Sequence, residues 1–217
     1  MLVESMMIRD VITLSPQHTL HEALKISETK RIRHLPVVDA DGCVVGILSD
    51  RDLRSATPST LTEGDHEAVL NTTVENIMIR DVITCHPLDF VEDAAAQMYL
   101  RRVGSLPVIS HDQLVGIITE RDILHTLVEM MGVNAPTSRV EVIVPDRPGM
   151  LANIADLLRA RRINASTVMV FPSNQEGHKS IVFRIGTMDP RRFLQDIQNA
   201  GYHVVQPPSA LDEASEV

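Results

Sequence analysis

The sequence is poor in tryptophan, cysteine and aromatic residues generally. It has no Trp, two Cys and an aromatic content of 3%. Cys43 and Cys85 form no Cys-x-x-Cys pair, and the nine histidines show no His-Glu-x-x-His spacing. The sequence therefore predicts neither a metal site nor a disulfide framework.

Long apolar runs and excess positive charge are also missing. No stretch approaches the roughly 18 apolar residues of a membrane span, and the first residues lack the basic and apolar regions of a signal peptide, so we expect a cytoplasmic protein. Lys and Arg number 20 against 29 Asp and Glu, a net charge of −9. Nonspecific nucleic-acid binding needs clustered cations, so the balance argues against it. A small anionic ligand in a local basic pocket remains compatible with this charge.

What the sequence does contain is an internal repeat. Three pairs of blocks match in the same order: residues 3–13 with 74–84, 34–38 with 105–109, and 46–53 with 116–123. Two copies are too few for a solenoid, which needs about three repeats to bury a continuous core. The repeat therefore predicts a closed pair related by a pseudo-twofold axis.

Each copy is predicted to form a strand, a helix, two strands and a second helix. In the first copy the expected elements are a strand at residues 11–13, a helix capped by Thr19 and Glu22, strands at 35–38 and 44–48, and a helix from Ser49. In the second copy, Asp89 or a neighbour is expected to cap the first helix. Residues 57–73 look like a linker between the copies.

A third segment, residues 138–206, is unrelated to the repeat. Val140, Val142 and Val144 alternate with other side chains as in a half-buried strand. The segment continues as helix, strand, strand, helix and strand, which predicts a small antiparallel sheet with two helices on one face. Residues 207–217 are acidic and begin with proline, and we expect a disordered tail.

The motif Gly-Ile-x-Ser/Thr-x-x-Asp occurs in both copies and has two interpretations. Ser49 with Asp52, and Thr119 with Asp122, fit helix N-caps that need no ligand. The usual partner in such a cap is Glu or Gln, however, and both copies carry the shorter Asp. A carboxylate there could accept from both hydroxyls of a ribose while first-turn amides meet a phosphate. The residues alone leave both interpretations open.

The blocks Met-x-x-Asp-Val-Ile-Thr, Arg-His-Leu-Pro-Val-Val-Asp and Gly-Ile-Leu-Ser-x-Arg-Asp-Leu resemble the CBS domain, here as the tandem pair called a Bateman module. The resemblance divides the chain into a first repeat (residues 1–56), the linker (57–73) and a second repeat (74–130). It implies a mixed α/β fold that binds an adenosine compound between the repeats. AMP, ADP, ATP or S-adenosylmethionine would be a regulatory ligand and not a catalytic cofactor.

The resemblance also implies which residues form the nucleotide sites. They are Thr13, Arg33, His34, Leu35, Pro36, Ser49, Arg51 and Asp52 in the first repeat, and Thr84, Ser105, Leu106, Pro107, Thr119, Arg121 and Asp122 in the second. The two aspartates would hold ribose, the hydroxyls at 49 and 119 ribose or phosphate, and the threonines at 13 and 84 with the Leu-Pro pairs the base. The arginines would meet phosphate, or form surface salt bridges instead. Since His34 corresponds to Ser105, we expect the two sites to be inequivalent.

Residues 144–151, Val-Pro-Asp-Arg-Pro-Gly-Met-Leu, and the pair Ile163-Asn164 resemble the ACT domain, a ferredoxin-like βαββαβ module. This implies amino-acid binding at Asp146, Arg147, Gly149, Met150, Leu151 and Asn164. The turn at Gly149 would open helix amides to a ligand carboxylate, and Asp146 would take the amino group. The alternative is that the turn is only structural and the domain only dimerises.

A CBS pair followed by an ACT domain resembles the AcuB family of acetoin utilisation proteins. The sequence has no Gly-x-x-x-x-Gly-Lys, no Gly-x-Gly-x-x-Gly and no nucleophile elbow. We therefore expect a non-enzymatic, homodimeric regulator that binds an adenine nucleotide and acts on an unknown protein partner. The resemblance also implies a link to acetoin utilisation. The alternative is a dimeric scaffold whose ligand pockets are vestigial.

Overall fold

The computed structural model describes residues 1–57 and 66–205. The chain divides into two compact units, Met1–His125 and Thr126–Val217. The predicted tail at residues 207–217 and residues 58–65 of the predicted linker lie outside the described residues. Within the described residues, no helix is long and apolar enough to cross a membrane.

The helices and the paired strands of the repeat region follow the predicted order in both copies, although the predicted leading strand is absent from each. They are α1 (Leu20–Lys30), β1 (His34–Val38), β2 (Val44–Ser49), α2 (Asp50–Ala56), α3 (His66–Leu70), α4 (Val91–Arg101), β3 (Ser105–Ser110), β4 (Gln113–Thr119) and α5 (Glu120–Met130). Strands β1 and β2 pair antiparallel, as do β3 and β4. Short 3-10 turns at Val3–Ser5 and Val74–Asn76 lie at the start of the two copies.

Helix α1 begins where the sequence predicts it. The Thr19 hydroxyl accepts from the Glu22 N–H at 3.2 Å, and the Glu22 carboxylate accepts from the Thr19 N–H at 2.8 Å. This reciprocal capping box satisfies two backbone donors that the first turn leaves free. The apolar residues Leu20 and Ala23 are then fully buried against the first core.

Two local predictions were wrong. Residues 11–13 form no strand, and only Leu14 makes a single parallel bridge to Val37. Asp89 does not cap α4, since its carboxylate accepts from the His86 N–H at 2.7 Å in the preceding turn. Between the copies, the described part of the predicted linker includes helix α3, and Thr73 forms an isolated bridge with Thr19.

The leading segment of each repeat pairs with the sheet of the other repeat. Ile8 exchanges backbone hydrogen bonds of 2.9 and 3.0 Å with Ile117, and Ile79 does so with Ile47 at 3.0 Å in both directions. Two buried cores result: Val74 and Met78 lie in the core of the first repeat, and Val3 and Met7 in that of the second. The two repeats therefore form one interlocked pair.

The second unit has the predicted βαββαβ order. Its elements are β5 (Ser138–Pro145), α6 (Met150–Ala160), β6 (Ala165–Pro172), β7 (His178–Ile185), α7 (Arg191–Asn199) and β8 (His203–Val205). The antiparallel sheet has the strand order β6-β7-β5-β8. Val140, Val142 and Val144 alternate inward as predicted and pack in one core with Ile154 of α6 and Phe193 of α7. Both helices therefore cover the same face of the sheet.

Candidate functional site

A cavity of about 1210 Å³ lies in the first unit, between the two repeats. The first repeat contributes Arg33, His34, Ile47, Ser49, Asp50, Arg51, Asp52 and Arg54, and the second contributes Ile79, Asp81, Val82, Ile83, Met98, Tyr99, Leu100, Arg102, Val103, Gly104, Ser105 and Glu120. Its size is above the range of about 300–1,000 Å³ that is common for small-molecule sites. The cavity can therefore hold a ligand of nucleotide size.

The turn from β2 into α2 brings Ser49 and Asp52 to this cavity as a complete capping box. Oδ2 of Asp52 accepts from the Ser49 N–H at 2.8 Å and from its hydroxyl at 2.5 Å, and the Asp52 N–H donates back to the hydroxyl at 3.3 Å. A carboxylate can accept about four hydrogen bonds, so Oδ1 retains its acceptor capacity. The side chain can thus cap the helix and accept from a ligand hydroxyl at the same time.

Thr119 and Asp122 have the same geometry in the second repeat. Oδ2 of Asp122 accepts from the Thr119 N–H at 2.9 Å and from its hydroxyl at 2.6 Å. Neither residue lines the cavity. The two turns are equal as helix caps and differ in what surrounds them.

His34 crosses the boundary between the repeats and packs against Gly104. A methyl group added at Gly104 would lie 2.8 Å from Nε2 of His34 and 3.7 Å from a carboxylate oxygen of Glu120. Only glycine leaves this space for the imidazole. Burial lowers the pKa of His34, while the nearby Glu120 carboxylate raises it by less. The ring therefore favours the neutral form more than a solvated histidine does.

Ser105 stands at the repeat position that corresponds to His34, and its side chain is 4% exposed. Its hydroxyl is buried at the cavity without a hydrogen-bond partner among the described residues. Leaving a buried hydroxyl unpaired costs about 1–3 kcal/mol. A polar ligand atom in the cavity would remove that cost.

The cavity gathers six of the predicted nucleotide-site residues: Arg33, His34, Ser49, Arg51, Asp52 and Ser105. It is not lined by Thr13, Leu35, Pro36, Thr84, Leu106, Pro107, Thr119, Arg121 or Asp122. Leu35 and Leu106 lie in the two hydrophobic cores instead.

Sequence reasoning missed the wall of the cavity that the second repeat provides. Apart from the predicted Ser105, its polar members are Asp81, Tyr99, Arg102 and Glu120, and Leu100 adds an apolar side chain that is 75% exposed. Asp81 and Arg102 match their repeat counterparts Asp10 and Arg31, whereas Tyr99 and Leu100 stand at the positions of Glu28 and Thr29. The wall forms because the leading segments cross between the repeats. That crossing depends on pairing between residues far apart in the chain.

The charges around the cavity are balanced but not fully paired. Four arginines and four carboxylates line it. Arg54 forms an ion pair with Asp50 at 2.9 Å, whereas within residues 1–57 and 66–205 the structure shows no ion pair for Arg33, Arg51 or Arg102. These three guanidinium groups are available to an anionic ligand.

In the second unit, the predicted amino-acid site is only partly accessible. Gly149 has a φ of +90° and precedes α6 without a side-chain cap, while Met150 is buried in the core and Leu151 is exposed. The Asp146 carboxylate pairs with Nζ of Lys179 at 2.8 Å. Arg147 and Asn164 are exposed, and the Asn164 carbonyl accepts from the Gly186 N–H at 2.9 Å. A ligand amino group would therefore have to share Asp146 with Lys179.

Comparison with known proteins identifies the fold of the repeat region. The family model described as "CBS domain" matches residues 3–59 and 74–129, more than half of the chain. The chain belongs to the CBS domain family. It is 38% identical over 123 residues to inosine-5'-monophosphate dehydrogenase of Methanocaldococcus jannaschii, a match covering 56% of this chain and 22% of that protein. The chain thus spans about a fifth of that relative.

Solved structures of similar fold include two tandem CBS pairs at more than 30% identity. A protein described as acetoin utilization protein AcuB, from Vibrio cholerae, is 33% identical with a TM-score of 0.54, covering 64% of this chain and 98% of that one. The CBS domain pair of protein MJ0100, solved with 5'-methylthioadenosine and S-adenosyl-L-methionine, is 32% identical with a TM-score of 0.52, covering 59% of this chain and 97% of that one. Both matches concern a CBS pair.

Proposed function

We propose that the chain is a non-enzymatic regulator that binds an adenosine-containing ligand in the cavity between its CBS repeats. The observation that carries the proposal is the Ser49–Asp52 turn at the edge of a cavity of about 1210 Å³. The turn offers a fixed carboxylate with an unused oxygen, which suits a ribose diol. The bound ligands of the similar MJ0100 pair, 5'-methylthioadenosine and S-adenosylmethionine, share an adenosine moiety.

The ligand would act by changing the packing of the two repeats, which a protein partner then detects. Residues from both repeats line the cavity, so a ligand that contacts both walls favours the arrangement that best fits it. Such a ligand shifts the equilibrium only by its difference in affinity between the two arrangements. The βαββαβ unit is proposed as an ACT domain that takes an amino acid or forms a homodimer, as the order of domains in an AcuB-like regulator suggests.

The test is a titration of the purified chain with AMP, ADP, ATP, 5'-methylthioadenosine and S-adenosylmethionine. Binding to the native state raises the melting temperature, and calorimetry gives the affinity. Asp52→Ala should weaken binding by roughly 10- to 150-fold, because it removes a hydrogen bond to a charged acceptor.

Glu22→Ala is the matched control, because Glu22 makes the same capping box in α1 and does not line the cavity. It should lower the melting temperature as Asp52→Ala does and leave ligand affinity unchanged. If both variants bind equally well, Asp52 is only a helix cap. If none of the five compounds binds, the alternative function applies, a scaffold whose pocket is vestigial. The complete capping boxes favour that alternative, since they need no ligand.

A further inference from the structure

We infer that the chain binds one adenosine ligand, in the cleft of Ser49 and Asp52, and that the equivalent cleft of Thr119 and Asp122 stays empty. The inference rests on the proposed function and adds to it the number of ligands and the choice of site. The two Ser/Thr-x-x-Asp turns have the same hydrogen bonds within 0.1 Å. The motif alone therefore does not determine which cleft binds the ligand. The residues around each turn determine it.

The first difference is in positive charge. Four arginines line the Asp52 cleft: Arg33, Arg51, Arg54 and Arg102. At the corresponding repeat positions the chain has Gly104, Arg121, Leu124 and Arg31. The four acidic residues that line the Asp52 cleft are matched, since Asp50, Asp52, Asp81 and Glu120 correspond to Glu120, Asp122, Asp10 and Asp50. The Asp122 cleft therefore lacks counterparts of Arg33, which has no ion pair within the described residues, and of Arg54, which is paired with Asp50. The loss of these cations disfavours an anionic ligand.

The second difference is in the wall supplied by the opposite repeat. Met98, Tyr99 and Leu100 line the Asp52 cleft, and their counterparts are Ser27, Glu28 and Thr29. An aromatic ring and apolar side chains suit a nucleobase, which binds by stacking and burial. Tyr99 is 82% exposed, so its ring is free to turn towards a base. In the counterpart wall, Ser27 is already bonded to the Ile32 carbonyl at 2.7 Å, and Glu28 adds a negative charge.

The third difference is the unpaired hydroxyl of Ser105. It is buried at the Asp52 cleft, where a ligand would complete its hydrogen bonding. Its repeat counterpart is His34, whose ring is instead placed against Gly104. A hydroxyl that lacks a protein partner marks the side of the pair where a bound molecule is expected.

The test is calorimetric titration of the full chain with AMP and with 5'-methylthioadenosine, using Asp52→Asn and Asp122→Asn. Asn retains an oxygen that can accept from the capping residue, so each variant keeps its helix start. We expect one ligand per chain, an affinity loss of at least about 10-fold for Asp52→Asn, and less than about 2-fold change for Asp122→Asn.

A double variant, Arg33→Gly with Arg54→Leu, replaces two exposed arginines of the Asp52 cleft by the residue types found at the corresponding positions of the second repeat, Gly104 and Leu124. The double variant should weaken the binding of AMP more than the binding of 5'-methylthioadenosine, which carries no phosphate. Two ligands per chain, or an equal loss from Asp122→Asn, overturns the inference and leaves the proposed function standing. Unchanged affinity in both Asn variants overturns the ribose assignment, and the inference falls with it. If an Asn variant fails to fold, the stoichiometry and the double variant decide.

Discussion

Oδ2 of Asp52 accepts hydrogen bonds from both the backbone N–H and the hydroxyl of Ser49. One carboxylate oxygen thus fixes the start of α2, and the other remains for a second partner. Structural and binding roles therefore coincide in one side chain. Substitutions at this turn must be compared with a helix cap that has no binding role. The Thr19–Glu22 cap of α1 is such a control.

The cap of α1 should contribute to stability without affecting the cavity. Thr19→Ala removes the hydroxyl that accepts from the Glu22 N–H and should lower the free energy of unfolding by about 1 kcal/mol. Urea unfolding measured by circular dichroism checks this value. Thr19→Ser keeps the hydroxyl and should retain most of the stability. An equal loss in both variants would show that the methyl group matters and the cap does not.

A residue larger than Gly104 should destabilise the protein while His34 is present. Gly104→Ala places a methyl group 2.8 Å from Nε2 of the imidazole, and the resulting overpacking should cost about 1–3 kcal/mol. In a His34→Ala background the space is open, and the same substitution should cost little. A double-mutant cycle by urea unfolding measures this coupling. Additive effects would mean that the two residues are not in contact.

Protonation of His34 should destabilise the protein at acidic pH. Burial lowers its folded-state pKa below the ordinary value of 6.5, so the unfolded chain binds more protons between the two pKa values. Stability therefore rises with pH in that window and falls as the pH drops from 6.5 towards the lower folded pKa. The groups that act on the ring are Glu120, Arg33, Asp52 and Asp50.

The measurement for His34 is the urea midpoint between pH 5 and 7.5. His34→Gln should reduce the pH slope of stability in this range, because glutamine does not titrate. Glu120→Gln should steepen it, since the carboxylate partly offsets the lowering. If the stability of the His34→Gln variant changes with pH as steeply as that of the parent chain, His34 is not the group responsible.

Cys85 should be almost unreactive in the folded protein. Burial raises the pKa of its thiol to about 12, so very little thiolate forms at pH 8, and the thiolate is the reactive species. Iodoacetamide followed by mass spectrometry should leave Cys85 unmodified until urea is added, while the half-buried Cys43 is modified first. Faster modification of Cys85 than of Cys43 in the native state would refute this. The Cys85→Ser variant shows which peptide in the mass spectrum carries the modified Cys85.

Local chemistry made much of the fold predictable. The Thr19–Glu22 box, the hairpins and the alternation of Val140, Val142 and Val144 depend on neighbouring residues, and the sequence shows those directly. The duplicated blocks also predicted the paired arrangement. The strand at residues 11–13 and the cap at Asp89 failed because both depend on which neighbour competes for the same backbone groups.

The site was predictable as a set of turns but not as a cavity. Ser49 and Asp52 were found from their motif, yet the motif could not show that Asp52 lines the cavity and Asp122 does not. That difference arises in part from Tyr99 and Leu100, which come from the opposite repeat and whose counterparts are Glu28 and Thr29. Contacts between residues about 50 positions apart leave no periodic signal in one sequence.

The exchange of leading segments has a consequence for how the pair can be divided. Each half contains two buried side chains that belong to the other: Met7 and Val3 on one side, Met78 and Val74 on the other. A half separated by proteolysis or by truncating the gene would have an unfilled space in its core, and the two apolar side chains of its own leading segment would be exposed to solvent. Neither repeat is therefore expected to fold stably without the leading segment of the other.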